Sequence, residues 1–211
     1  MLRRVKYMTN QLERKLYSFK EIYKINYNAF RSFGILMKTR KNNIMSNQFM
    51  ERIMLAVTEV NGCDVCSYAH TKMALETGMN SNEIMKLLSG VMDDVPKNEI
   101  QGILFGQHYA DTRGNPSTET WNQINEVYGQ NLALGILASI RVIMLGNAYG
   151  IPWSSFLKRF KGKSDIRSNL GYELAVLLES LIIVPISGIH ALAAMILRIP
   201  YVKFKKLNRL I

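Results

Sequence analysis

Apolar residues recur at helical spacing along almost the whole chain. From Met8 to Met37 the series Leu12, Leu16, Phe19, Ile22, Tyr23, Ile25, Tyr27, Phe30 and Phe33 follows helical steps, with Lys, Arg and Glu between them. Gly34 is expected to break or end this helix, and KTRKNN (38–43) reads as a polar interruption. Residues 46–60, SNQFMERIMLAVTEV, carry the next helical pattern and stop at the turn pair Asn61-Gly62. A further helix is expected from about Cys63 to Thr77, ended by Gly78 as a left-handed cap. NSNEIMKLLSG follows, with Asn80 and Glu83 at capping-box spacing. Pro96 is placed to start a helix reaching about Asp111, and TRGNPST (112–118) is a loop. Residues 119–129 and 131–150 complete the series as two helices. No alternating strand pattern of useful length occurs, so the expected fold class is all-α.

Residues 172–197, YELAVLLESLIIVPISGIHALAAMIL, are more apolar than the rest, yet Glu179, Pro185, Ser187-Gly188 and His190 interrupt them. No uninterrupted apolar run reaches the roughly 18–20 residues of a spanning helix. The Pro-x-Ser-Gly centre points to two short helices joined by a turn, a hairpin that completes the core or an oligomer interface. The competing reading is an interfacial anchor followed by the basic end RIPYVKFKKLNRLI.

Charge sharpens this division. The formal net charge is +11, but residues 1–41 hold eleven Lys/Arg against Glu13 and Glu21, and residues 198–211 hold five with no acid. Between 42 and 197 stand eleven basic and fourteen acidic residues. Basic ends around a mildly acidic middle suit contact with an anionic surface, or simply solvated helix faces, and no zinc-finger, helix-turn-helix or RNA-binding signature supports nucleic-acid binding. Three regions follow: a basic N-terminal helical segment (1–43), a helical core (44–165), and an apolar helical hairpin with a basic tail (166–211). Two cysteines are too few for a disulfide framework and residues 1–41 lack the pattern of a signal peptide, so a reducing, cytoplasmic compartment is expected, with peripheral membrane contact through residues 172–211 as an option.

The only two cysteines lie in NGCDVCSYAH (61–70). On a helix, Cys63, Cys66 and His70 share one face, being three and four positions apart. The first turn of a helix stabilises a thiolate, the form that attacks peroxides and disulfides, and His70 is one turn away to accept or donate its proton. Glu51 and Glu59 lie on the preceding helix, and either is placed to orient the histidine. Other readings compete. The pair could be two small core residues, or, with His70 and His108 or a glutamate, a zinc site, although no second Cys/His pair exists to complete one. Neither metal nor cofactor is therefore expected. His108 is a lesser candidate for the site; His190, the methionines (Met50, Met54, Met73, Met85), Trp121 and Trp153 read as packing.

FMERIMLAVTEVNGCDVCSYAHTKMALETGMNSNEI resembles the carboxymuconolactone decarboxylase-like superfamily, in particular its alkylhydroperoxidase D-like thiol branch. That branch has a glutamate, eleven residues, Cys-x-x-Cys, three residues and a histidine, which fall here on Glu51, Cys63, Cys66 and His70. The Asn-Gly-Cys turn and the run from Gly78-Met79 to Glu83-Ile84 also match. The likeness spans about residues 15–160 and is densest over 47–85. It implies an all-helical, alkylhydroperoxidase D-like core that oligomerises and reduces organic hydroperoxides. By the same resemblance Cys66 attacks, Cys63 is the resolving and more exposed thiol, Glu51 and His70 form a proton relay, and an external dithiol resets the disulfide. Val65 departs from the pattern, because the best-known members carry a second histidine there. The decarboxylase branch lacks the cysteine pair, which disfavours lactone decarboxylation. The rival reading is a helical interaction or membrane-surface protein whose cysteine pair senses redox state or is vestigial.

Overall fold

The computed structural model describes residues 16–206 of the chain. Within them run seven helices and no strand: α1 Phe19–Lys41, α2 Asn47–Asn61, α3 Asp64–Glu76, α4 Ser81–Leu88, α5 Ile100–Asp111, α6 Thr118–Arg159 and α7 Leu170–Ile196. Met8 and Leu12, expected in the first helix, lie outside the described residues. Leu16 is not helical, because Ser18 caps α1: its hydroxyl accepts from the Glu21 N–H, while its own N–H donates to Glu21 Oε2 at 2.8 Å. Gly34 does not end α1. The helix runs on through it, since its inward face (Ile22, Ile25, Ala29, Leu36) stays packed on both sides of the glycine.

The centre of the fold is α2, whose Ile53, Leu55, Ala56 and Val57 are all buried. Ser46 accepts from the Phe49 N–H at 3.0 Å to start it, and Gly62, at φ 68°, ends it in the left-handed region. α5 lies close against α2: a methyl on Gly102 would meet Phe49 Cζ at 2.7 Å. The expected Asn80–Glu83 capping box is only half present. Asn80 caps α4 through the Asn82 N–H, whereas Glu83 accepts from Arg52 Nε at 2.6 Å. The guanidinium of Arg52 is buried and also reaches Glu99 at 2.8 Å, and a buried cation needs such partners more than an exposed helix end needs a second cap bond.

The two helices expected over 119–129 and 131–150 are both present, divided where expected at Gly129, and are numbered together as α6. α6 is broken at Gly129 (φ 69°, ψ 159°) and then continues past Gly150 and through Pro152 to Arg159. Its stretch from Ala133 to Ala148, with Ile136, Leu137, Ile140 and Met144, packs on α2 and fills the core.

The apolar C-terminal region is helical, but no turn divides it. α7 runs unbroken from Leu170 to Ile196 with Pro185 inside, so the hairpin is made by α6 and α7 across the 160–169 connection. α7 lies parallel to α1. Tyr172 Oη donates to the Tyr17 carbonyl near their starts, and Gly188 meets Phe30 further along. His190, expected in the core, is exposed; its Nδ1 shares a 2.7 Å hydrogen bond with Tyr23 Oη, and its ring packs on Tyr27. After α7 the chain turns back. Arg31 donates to the carbonyls of Ile199 and Pro200, and Phe204 packs on Trp121 and Tyr109. Trp121 is buried as expected, whereas Trp153, Met73 and Met85 are exposed because each lies on the outer face of its helix.

Candidate functional site: a cysteine pair at the start of a helix

The turn between α2 and α3 is two residues long and is held from several sides. Thr58 O accepts from the Gly62 N–H at 2.8 Å and from the Cys63 N–H at 3.4 Å, turning the chain straight into α3. Arg167, in the connection before α7, donates to the carbonyls of Asn61 (3.1 Å) and Gly62 (2.9 Å). Asp165 holds that guanidinium in place at 2.6 Å. Burial pushes the Asp165 carboxyl up, but the Arg167 hydrogen bonds outweigh it and hold it below its ordinary value. Below the turn, Asn61 Oδ1 accepts from Tyr17 Oη at 2.6 Å. Burial raises the Tyr17 hydroxyl far above its ordinary value, so it stays a neutral donor.

Cys63 is the N-cap of α3 and Cys66 lies in its first turn. The two are joined in a disulfide, Cα–Cα 5.3 Å. Cys63 is 1% exposed and Cys66 8%. In this oxidised form, then, Cys63 is not the more exposed of the two. The cause is α6, which passes directly over the pair at Gly150. A Cβ there would stand 2.8 Å from each sulfur and 3.1 Å from Val65 Cγ1. Asp64, between the cysteines, is paired with Lys158 of α6 at 2.5 Å.

Glu51 and His70 meet across the α2–α3 pair. His70 Nδ1–H donates to Glu51 Oε2 at 2.7 Å, with both side chains largely buried. A carboxylate at Nδ1 fixes the tautomer and leaves Nε2 as the proton-accepting atom of a neutral ring. Glu59 stands two turns beyond Glu51, half-buried near the end of α2. His108 is placed elsewhere: it is exposed on α5 and lines a groove of about 480 Å³ with Gln101, Leu104, Thr120, Gln123 and Glu126. Among the described residues, no three His, Cys, Asp or Glu side chains are grouped as metal ligands.

So the structure brings Cys63 to Cys66 and Glu51 to His70, and leaves His108 apart. Sequence reasoning missed Gly150 and Arg167. Gly150 looked like the end of a helix, and only its place inside a continuing α6 hints at a close approach. Arg167 carries no sequence signal of its own.

A disulfide across Cys-x-x-Cys at a helix start, beside a carboxylate-bound histidine, is an arrangement suited to thiol redox chemistry. Neither the curated proteins nor the solved structures yield a match to the chain. A family comparison does: residues 33–95, which hold Glu51, Cys63, Cys66 and His70, match the model of the carboxymuconolactone decarboxylase family. The all-helical fold agrees with this match, and the segment from the end of α1 through α4 is similar to the carboxymuconolactone decarboxylase family.

Proposed function

We propose that the protein is a thiol-dependent hydroperoxide reductase. The observation that carries this reading is the Cys63–Cys66 disulfide at the start of α3 with the His70–Glu51 hydrogen bond on the same helix pair. In the reduced protein, His70 accepts the Cys66 proton, and the thiolate attacks one oxygen of the hydroperoxide. The O–O bond breaks, Cys66 becomes a sulfenic acid, and the departing alkoxide takes the proton from His70 to leave as alcohol. Cys63 then attacks the Cys66 sulfur; the S–S bond forms and water departs. An external dithiol reduces the disulfide and is itself oxidised. Cys66 is the attacking thiol in this scheme, which its greater exposure supports. Glu51 holds His70 and steadies the imidazolium formed in the first step.

The test is titration of reduced protein with cumene hydroperoxide, followed by free-thiol counting. Both thiols should vanish at one equivalent of peroxide and return on adding a dithiol. Cys66→Ser should consume no peroxide, and unchanged turnover in that variant would overturn the proposal. Homo-oligomerisation belongs to the same reading, and light scattering of the full chain measures it.

A further inference from the structure

We infer that the outer face of α7 docks in the plane of an anionic lipid bilayer. The face is apolar apart from His190 at its edge, which is exposed but hydrogen-bonded to Tyr23 of α1. Leu174, Leu178, Leu181, Ile182, Ile186 and Ile189 are 41–73% exposed, and the stripe continues through Leu192 and Ile196. From residue 174 to 196, about 33 Å of helix at 1.5 Å per residue, the only charged side chain is Glu179. Its carboxyl oxygens are buried and turned away from this face. Phe160 and Ile166, both 79% exposed, extend the apolar surface into the connection before α7. By length and composition α7 is apolar enough to cross a membrane, yet only 17% of its most apolar window is buried in the protein.

The other face of α7 decides its orientation. Val176, Ser187, Ala191 and Ala194 pack it closely onto the body of the fold. Immersing α7 as a span would drag α1 into hydrocarbon, with Lys20, Lys24, Arg31 and Lys38 aboard. A helix with one apolar and one occupied face instead lies in the interface, its side chains among the upper acyl chains.

Charge selects the occupant. Exposed Lys161 and Lys163 stand at one end of the face, and exposed Arg198, Lys203, Lys205 and Lys206 at the other. From 166 to 206 the only acids are Glu173 and Glu179; Glu173 is buried against Arg159, and Glu179 is turned inward. Both ends are therefore positive, as anionic headgroups require. A second copy fits less well. Two α7 faces related by a two-fold axis, parallel or antiparallel, would bring positive ends onto positive ends. The stripe also lacks the aromatic and hydrogen-bonding anchors that concentrate in protein interfaces.

The experiment is co-sedimentation of the intact chain with phosphatidylcholine vesicles and with vesicles containing phosphatidylglycerol. Far-UV circular dichroism, thermal melting and light scattering would be run on every variant. The wild type should pellet with the anionic vesicles and be partly released by salt. The combined Leu178→Asp, Ile182→Asp, Ile189→Asp variant should bind roughly tenfold or more weakly, given the apolar area it removes from the docked face. Lys203→Glu with Lys205→Glu leaves α7 intact and should weaken binding to anionic vesicles alone. Wild type that stays in the supernatant would overturn the proposal. So would a dimer that the triple variant dissolves without any vesicle binding, or equal binding to both lipids.

Discussion

Gly150 shows how much one missing methyl group does. Its backbone lies so close to the disulfide that a Cβ would collide with both sulfurs at 2.8 Å. Gly150→Ala gains about 1 kcal/mol of helix propensity, while overpacking a closed site costs about 1–3 kcal/mol. Reduced thiols can rotate away and bonded ones cannot, so the oxidised protein should suffer more. In a dithiothreitol redox buffer the variant disulfide should open at lower reductant than the wild type, and an unshifted equilibrium would sink this account. The choice between Glu51 and Glu59 also belongs to this scale. Glu51 bonds to His70 at 2.7 Å. Glu51→Gln should therefore slow peroxide consumption about tenfold or more, with Glu59→Gln close to wild type, as read by single-turnover thiol loss. Both glutamates were visible in the sequence. Their eight-residue separation on α2 could not say which one faces α3.

At the scale of elements, the 160–169 connection ties α6 and α7 to the cysteine turn. Glu173 of α7 is buried, accepts from Arg159 at 2.6 Å and from Ser155 Oγ at 2.6 Å, and Ser155 Oγ accepts from the Asp165 N–H at 2.9 Å. Asp165 then positions Arg167 against the Asn61 and Gly62 carbonyls. The Arg159 bonds bring the Glu173 carboxyl down to about 2 from an ordinary 4.5. A lowered carboxyl contributes stability above its unfolded value and loses it as pH falls through its folded value. Wild type should thus lose urea stability as pH drops from 4.5 towards 2, and Glu173→Gln should be less stable at pH 7 but flatter across that window. Equal slopes would contradict the assignment. Glu179, two turns on, behaves oppositely: burial without a hydrogen-bond partner for either oxygen pushes it up. Glu179→Gln should therefore gain relative to wild type as pH rises above 4.5, in the same measurement. The helices themselves were largely legible, because caps such as Ser46, Gly62 and Gly78 are local signals. The break at Gly129 was legible too, but the passage of α6 past Gly150 and through Pro152 was not. Neighbouring helices hold that backbone in place, and local propensity contains no neighbours.

For the whole molecule, the disulfide contributes little to folding. It closes a sequence separation of only three residues, so it removes little freedom from the unfolded chain. Chain-entropy reasoning puts its contribution near the low end, about 2 kcal/mol. Reduced and oxidised protein should melt within a few degrees of each other by calorimetry; a loss of folding on reduction would assign the pair a structural role. The constellation Glu51, Cys63, Cys66 and His70 was readable because all four lie on two consecutive helices joined by a two-residue turn. Periodicity and turn chemistry specify such short-range geometry directly. The fate of the apolar segments was different. α6 and α7 are both long and apolar enough to cross a membrane, yet in α6 67% of the apolar window is buried and in α7 17%. The sequence by itself determined the helices, their caps, the shared face of the cysteines and histidine, and the basic ends. Only the tertiary structure decided that Gly150 roofs the disulfide, that Glu51 rather than Glu59 holds His70, and that α7 turns its leucines outward. The physical reason is that a helix's own sequence sets which side chains share a face, whereas which faces meet depends on how all the helices pack together.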